Sequence, residues 1–262
     1  MRIADRVFVV TGAGNGMGRQ VVLGLLGRGA RVAAADVDEA GLADTARLAN
    51  AGSRLSTHRL DVTDRQAVGA MPDVAAGVHG HVDGLVNIAG VIHRFAPFTD
   101  LPADTADRIM AVNFMGTVNM CRAFLPVLLT RPEANVTNMS SLSALLPFAS
   151  QTLYSASKGA VKQFSEGLYA ELCDTKVRVV TVFPGNVDTN LTRNSGVEML
   201  DAGDKKVRAT TPETAGRKIV DGIAADRFRV LIGTDARALD LLSRASAKHT
   251  TRLVAKQIKS VL

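Results

Sequence analysis

Tryptophan is missing from this chain, tyrosine and cysteine occur twice each, and aromatic residues make up only 4% of it. Two cysteines, Cys121 and Cys173, exclude a disulfide-built scaffold and a four-cysteine zinc site. Both fall in helix-like segments and read as small buried hydrophobes in a reducing compartment. His79 and His81 flank Gly80 with no cysteine nearby, so no metal site is expected. There is no internal repeat, low-complexity tract or linker, and no apolar run that looks long enough to cross a membrane. The first strand-like segment begins almost at once, which leaves no room for a signal peptide, and cytoplasmic residence is the expectation. With 262 residues and 47% hydrophobic content the chain can bury a full α/β core as a single domain.

What is present starts with Val7-Phe8-Val9-Val10, a continuous apolar run suited to a strand buried on both faces of a parallel sheet. It leads into Thr11-Gly12-Ala13-Gly14-Asn15-Gly16-Met17-Gly18, followed by a helix-like apolar face at Val21, Val22, Leu25 and Leu26. Strand, glycine loop and helix start is the arrangement that turns backbone N–H groups and a helix N-terminus toward a pyrophosphate. The spacing is T-G-x-x-x-G-x-G rather than G-x-G-x-x-G. The next strand-like run, Arg31–Ala35, ends on Asp36, 24 positions after Gly12. An acid there can accept hydrogen bonds from ribose hydroxyls and repels a 2′-phosphate, and neither Asn15 nor the residue after Asp36 supplies a cation, which favours NAD over NADP. Asp36 could instead cap the helix-like segment 38–50, but Asp38 can serve as that cap and leave Asp36 free.

Tyr154 and Lys158 stand one helical turn apart in Tyr154-Ser-Ala-Ser-Lys158. A phenol with a pKa of about 10 is a poor base near neutrality, and a neighbouring ammonium favours its ionised form. Tyr–Lys pairs also occur on solvated helices; here the pair follows a nucleotide-binding start. The chain resembles the short-chain dehydrogenase/reductase family over about residues 3–235, with the family's motifs in order. Thr11, Gly12, Gly16 and Gly18 match its cofactor loop, with Asn15 and Met17 between them, and Asp61-Val62 matches the pair at the adenine ring. Asn87-Ile88-Ala89-Gly90 matches the Asn-Asn-Ala-Gly turn, with Ile88 in place of the second asparagine. Asn113 matches the asparagine that organises a proton-relay water, and Ser141, 13 positions before Tyr154, matches the catalytic serine. Ser140 is the neighbouring alternative. Pro184-Gly185, with Val187 and Thr189 beyond, resembles the turn whose threonine holds the nicotinamide carboxamide.

The resemblance implies an NAD-dependent enzyme acting on CH–OH groups, with Tyr154 as base, Ser141 on the substrate oxygen, Lys158 on the nicotinamide ribose and Asn113 passing the proton to solvent. Apolar segments at about 7–11, 31–35, 55–60, 83–88, 134–140, 177–183 and 229–232 predict a doubly wound Rossmann fold, an α/β parallel sheet of about seven strands with helices on both faces. Residues 1–240 form the single domain in this reading, with a substrate-covering segment at about 189–212. Helices near 103–130 and 152–174 are apolar over much of their surface, and in the family such helices pair across a two-fold axis, which implies a homodimer or homotetramer. By resemblance, Phe95, Ser143, Leu145, Phe148, Leu191 and Met199 line the substrate pocket. Their mainly apolar character points to a lipophilic secondary alcohol or ketone ahead of a sugar or polyol. A Rossmann domain that only binds NAD and reports redox state is the alternative from another class.

Charge is unevenly placed. Residues 201–262 hold 13 Lys/Arg and 7 Asp/Glu, an excess equal to the net charge of +6 on the whole chain. Arg244, Lys248, Arg252, Lys256 and Lys259 recur every three or four positions, which predicts a basic amphipathic helix over 241–262. A solvated face is the plain reading; weak contact with an anionic membrane surface is the sharper one. Nucleic acid is not expected, since the stripe carries no interleaved aromatics.

Overall fold

Seven short apolar segments form one all-parallel sheet in the computed structural model, which describes residues 1–188, Ser195, 209–233, Leu239, Leu241, Leu242 and 245–259, the last three by backbone alone. The strands are β1 (Val7–Thr11), β2 (Arg31–Asp36), β3 (Leu55–Arg59), β4 (Gly84–Asn87), β5 (Ala134–Met139), β6 (Val177–Pro184) and β7 (Arg229–Ile232). Each lies within one residue of the bounds expected from the sequence. The order is β3-β2-β1-β4-β5-β6-β7, so the chain reverses direction across the sheet between β1 and β4. That switch point opens a crevice at the carboxyl ends of the strands, where open α/β sheets bind ligands.

Six helices cover the sheet among the described residues, α1 (Gly16–Gly27), α2 (Glu39–Ala49), α3 (Arg65–His79), α4 (Thr105–Leu129), α5 (Thr152–Leu172) and α6 (Pro212–Ala224), and a further helix, α7 (Ala247–Lys259), follows near the C-terminus. Successive strand residues point to opposite faces, and the core divides accordingly. Phe8 and Val10 pack with Val22 and Leu25 of α1 and Ile219 and Ile223 of α6. Val7 and Val9 pack with Met71 of α3, Phe124 of α4 and Leu168 of α5. Both faces are therefore closed by apolar helix surfaces, which is why a central strand such as β1 reads as an unbroken hydrophobic run, while the edge strand β3 is mostly polar and partly exposed.

Helix α2 begins where the sequence places its cap, since Asp38 Oδ1 accepts from Gly41 N at 2.9 Å. Helix α4 corrects an expectation: it is long and apolar enough to cross a membrane by length and composition. Met120, Cys121, Phe124 and Leu128 nevertheless bury one side of it against the sheet, as in the core helix of a globular domain. Its turn Ala111–Met115 is π-helical, with Gly116 N donating to Ala111 O. Near the C-terminus α7 runs over Ala247–Lys259, with Leu241, Leu242 and Ala245 also helical, and 243–244 and 260–262 of the expected helix lie outside the described residues. The ring of His79 is buried and meets Ser56 Oγ at 2.8 Å, while Ser56 Oγ lies equally close to His58 Nε2. Burial lowers the pKa of both rings, so they sit there as neutral hydrogen-bonding groups.

Candidate active site

The loop after β1 carries the first half of the site. Thr11 is buried, and its hydroxyl accepts from Ile88 N at 3.1 Å and Ala89 N at 3.3 Å, which ties the loop to the turn after β4. Helix α1 then starts with no side-chain cap on its first N–H groups and no acid in its first turn. Its positive end therefore has no anion of its own. Gly18 lets the loop close on the helix, since a Cβ there would stand 1.9 Å from Gly12 O. Asp36, at the end of β2, is not free as the sequence suggested: Oδ2 accepts from Gly14 N at 2.8 Å and Oδ1 from Asp38 N at 3.0 Å. Each carboxylate oxygen keeps lone-pair capacity, so the group both braces the loop and can accept from a ribose hydroxyl. An uncapped helix N-terminus, a close-packed glycine turn and an acid at the next strand end fit the pyrophosphate and ribose of a dinucleotide.

The second half comes from β5, α4 and α5. Ser141 follows β5 directly and is buried; its Oγ accepts from Ser143 N at 3.1 Å, capping the short 3-10 turn Leu142–Ala144. Tyr154 and Lys158 lie in the first two turns of α5, with Lys158 Nζ 5.9 Å from the centre of the tyrosine ring. Lys158 is buried and donates to Met139 O at 3.0 Å. Ser140 also borders the cleft, but its hydroxyl donates to Lys158 O at 2.8 Å and fixes α5 on β5.

The charges behave differently from the simple picture of a lysine lowering a tyrosine. Burial pushes the Tyr154 phenol above its ordinary value, and a hydrogen bond with Ser141 acts in the opposite direction. Burial also pushes the Lys158 ammonium down to about 8. Desolvation thus dominates both groups, and each resists its charged form. The pair is poised so that a developing charge nearby decides which member is ionised.

Asn113 sits in the π-helical turn of α4 and is fully buried. Its Oδ1 accepts from Val91 N at 2.8 Å, and its Nδ2 donates to Val91 O at 2.9 Å and Ser157 Oγ at 3.0 Å. The amide therefore clamps the turn after β4 to α5. Gly90 makes that approach possible, since a Cβ there would fall 3.1 Å from Asn113 Oδ1 and 3.2 Å from Lys158 Nζ.

An open cleft of about 90 Å³ brings together Met17, Gly90, Ser141, Tyr154, Lys158, Pro184, Gly185 and Val187 from the sequence-based set. Gly12, Asn15, Gly16 and Gly18 stand in the loop beside it. Asp61 is exposed and bonded to Thr63, while Val62 is buried under α4 and its carbonyl accepts from Asn119. Asn87 is turned into the core, where its Nδ2 donates to Asn138 Oδ1 at 2.9 Å; Ala89 is held by Thr11. Phe95, Ser143, Leu145 and Phe148 are outside the lining of this cleft, and Thr189, Leu191 and Met199 lie outside the described residues. The sequence reading missed Ile88, Met139 and Ser140 as lining residues, and Ser157 as the partner of Asn113. Ser157, three positions after Tyr154 in the same helix turn, was the one with a visible spacing signal.

Comparison with known proteins agrees with this geometry. A family model for short chain dehydrogenase matches residues 6–199. "Putative oxidoreductase SadH" of Mycobacterium tuberculosis is 36% identical, with 95% of this chain and 94% of that protein covered. "1-deoxy-11-beta-hydroxypentalenate dehydrogenase" of Streptomyces avermitilis is 33% identical, with 90% and 88% covered. Among solved structures, a short chain dehydrogenase/reductase from Burkholderia phymatum in complex with NAD superposes with a TM-score of 0.84 at 26% identity, covering 95% of this chain and 96% of that one. A short chain dehydrogenase from Burkholderia cenocepacia in complex with NADP gives 0.83 at 28%, covering 97% and 99%.

Proposed function

The chain belongs to the short-chain dehydrogenase family, and from that premise we propose that it interconverts a lipophilic secondary alcohol and its ketone with NAD. The observation that carries the reading is the convergence of Ser141, Tyr154 and Lys158 in one cleft beside the α1 loop. A nicotinamide cofactor held along that loop supplies the hydride acceptor or donor. Tyr154 takes the hydroxyl proton during oxidation and returns it during reduction. Ser141 bonds the substrate oxygen, most strongly as charge develops on it. Lys158 offsets the phenolate charge and is placed to hold the nicotinamide ribose. Asn113 acts by position, holding the Val91 turn with its amide. Its backbone carbonyl accepts from Thr117 Oγ1 at 2.9 Å, and the residue occupies the position that in the family organises a proton-relay water. A protein that only sensed NAD would gain nothing from this grouping of acid–base side chains.

Asp36 supports NAD over NADP, because a carboxylate at the ribose repels a 2′-phosphate. Arg59 lies in register with Asp36 across β2 and β3 and is exposed, so a cation is at hand once the acid is removed. NADH formation across a panel of secondary alcohols, with NADP in parallel, tests both halves of the proposal. Asp36→Asn is expected to reduce the kcat/KM ratio of NAD over NADP by about 10- to 100-fold. Equal use of both cofactors by the unaltered protein would defeat the NAD assignment. Sugars turning over far better than medium-chain or polycyclic alcohols would defeat the substrate class. The name of the Streptomyces relative, which specifies a hydroxylated substrate, agrees with action on an alcohol.

A homodimer or homotetramer is part of the proposal. Helices α4 and α5 leave Phe114, Val118, Leu125 and Phe164 only partly buried in the single chain, and Phe114 and Phe164 already pack edge to face, 6.2 Å apart. A second copy would cover that surface. Light scattering is expected to give two or four times the 27.6 kDa chain mass, and a monomer at micromolar concentration would count against it.

A further inference from the structure

Residues 241–262 contain five Lys/Arg and no Asp/Glu, and nothing in the proposed reaction uses them. Helix α7 shows how they are presented. Thr250 and Val254, four residues apart, are buried and mark the face turned toward the rest of the domain. Lys248, Arg252 and Lys256 also follow at intervals of four and are all exposed, so they lie along the outward side. Large apolar side chains accompany them in the open: Leu253 is 59% exposed, and Leu241 and Leu242, just before the helix, are 69% and 49% exposed. A segment meant only for solvent has no use for three uncovered leucines in the same stretch of chain as its cations.

The charge pattern selects among occupants. A second copy of the same helix would bring like charges face to face, which is unfavourable. A nucleic acid would be met by cations without stacking aromatics, since the segment has no Phe, Tyr or Trp. A lipid surface with anionic headgroups matches both parts: it gives the cations mobile counter-charges in a plane and gives the leucines an apolar layer to enter. We propose that helix α7, with Leu241 and Leu242, docks on an anionic membrane surface. The inference does not depend on the reaction assigned to the cleft. If both hold, the cleft is kept where lipophilic alcohols are dissolved.

Co-sedimentation of the whole protein with phosphatidylcholine vesicles, with and without phosphatidylserine, tests it. Binding is expected only with phosphatidylserine and should weaken as salt is raised. Each cation near the surface contributes about fivefold to partitioning, so K248E/R252E/K256E should lose more than about 100-fold. All three side chains are exposed, and an unchanged thermal melting temperature would show that the variant folds. Leu253→Ser should weaken binding by about tenfold without altering its salt dependence. Failure to bind anionic vesicles at low salt would overturn the proposal. Undiminished binding of the triple variant, or tighter retention on duplex DNA than on the vesicles, would do the same.

Discussion

Tyr154→Phe is expected to lose turnover by about 1,000-fold while keeping its fold and its affinity for the cofactor. Only the hydroxyl is removed, and the ring continues to fill the same space at the start of α5. Substrate oxidation then loses the phenol that receives the proton, because Ser141 is a hydrogen-bonding group and Lys158, held by Met139 O, is protonated at neutral pH. The pH dependence separates this role from a packing one. Burial raises the phenol and lowers the ammonium to about 8, so at neutral pH both protons are on the pair. As pH rises through about 8 the pair gives up one proton. The state with phenolate and ammonium is the one that oxidises alcohol, and the positive charge of an oxidised nicotinamide bound beside the pair would favour it over the neutral pair. Oxidation should therefore accelerate with rising pH across this range, and ketone reduction should slow. In Tyr154→Phe the small remaining rate should lack that rising limb. A variant that kept more than about a tenth of its turnover, or the same pH profile, would remove Tyr154 from the mechanism.

Most of the sheet was legible because strands such as β1 are buried on both faces and so are spelled as continuous apolar runs, although the edge strand β3, Leu55-Ser-Thr-His-Arg59, is only partly covered. The glycine loop and the Tyr154–Lys158 interval were legible because both are fixed by local backbone geometry. What the sequence hid depends on neighbours brought together from distant positions. Asn87 looks like a ligand-facing residue at the end of a strand, yet the register Asn87↔Asn138 sets the two amides side by side and turns them inward. The sign of the Tyr154 shift was hidden for the same reason: the spacing shows the lysine but not the depth at which both groups are buried. The expected substrate pocket is only partly in view: Phe95, Leu145 and Phe148 are partly covered and stand outside the lining of the cleft, and Leu191 and Met199 lie outside the described residues. Apolarity in a short segment does not tell a pocket wall from ordinary packing.

Asp83 is the residue whose replacement should cost the most stability, and no motif pointed to it. It precedes the central strand β4 at the amino ends of the strands, opposite the cleft, and is fully buried. Its Oδ2 accepts from Val7 N at 3.0 Å and pairs with His81 Nε2 at 3.0 Å; its Oδ1 accepts from Arg131 Nε at 2.9 Å and lies 3.5 Å from Arg6 Nη1. One carboxylate thus joins the start of β1 to groups just ahead of β4 and β5. Asp83→Ala leaves the Val7 N–H without its side-chain acceptor and sets two guanidinium groups near each other with no anion between them. Breaking a buried pair from one side costs about 3–5 kcal/mol, and partial exposure of Arg6 and Arg131 favours the lower end. For a chain of this size that corresponds to a fall in Tm of about 10 °C. Asp83→Asn retains an acceptor for Val7 N and should lose roughly half as much. Because Asp83 touches none of the cleft residues, either variant should keep its kcat at a temperature where it remains folded. A Tm within about 2 °C of the parent for Asp83→Ala would mean that water and the arginines' own exposure replace the carboxylate at little cost.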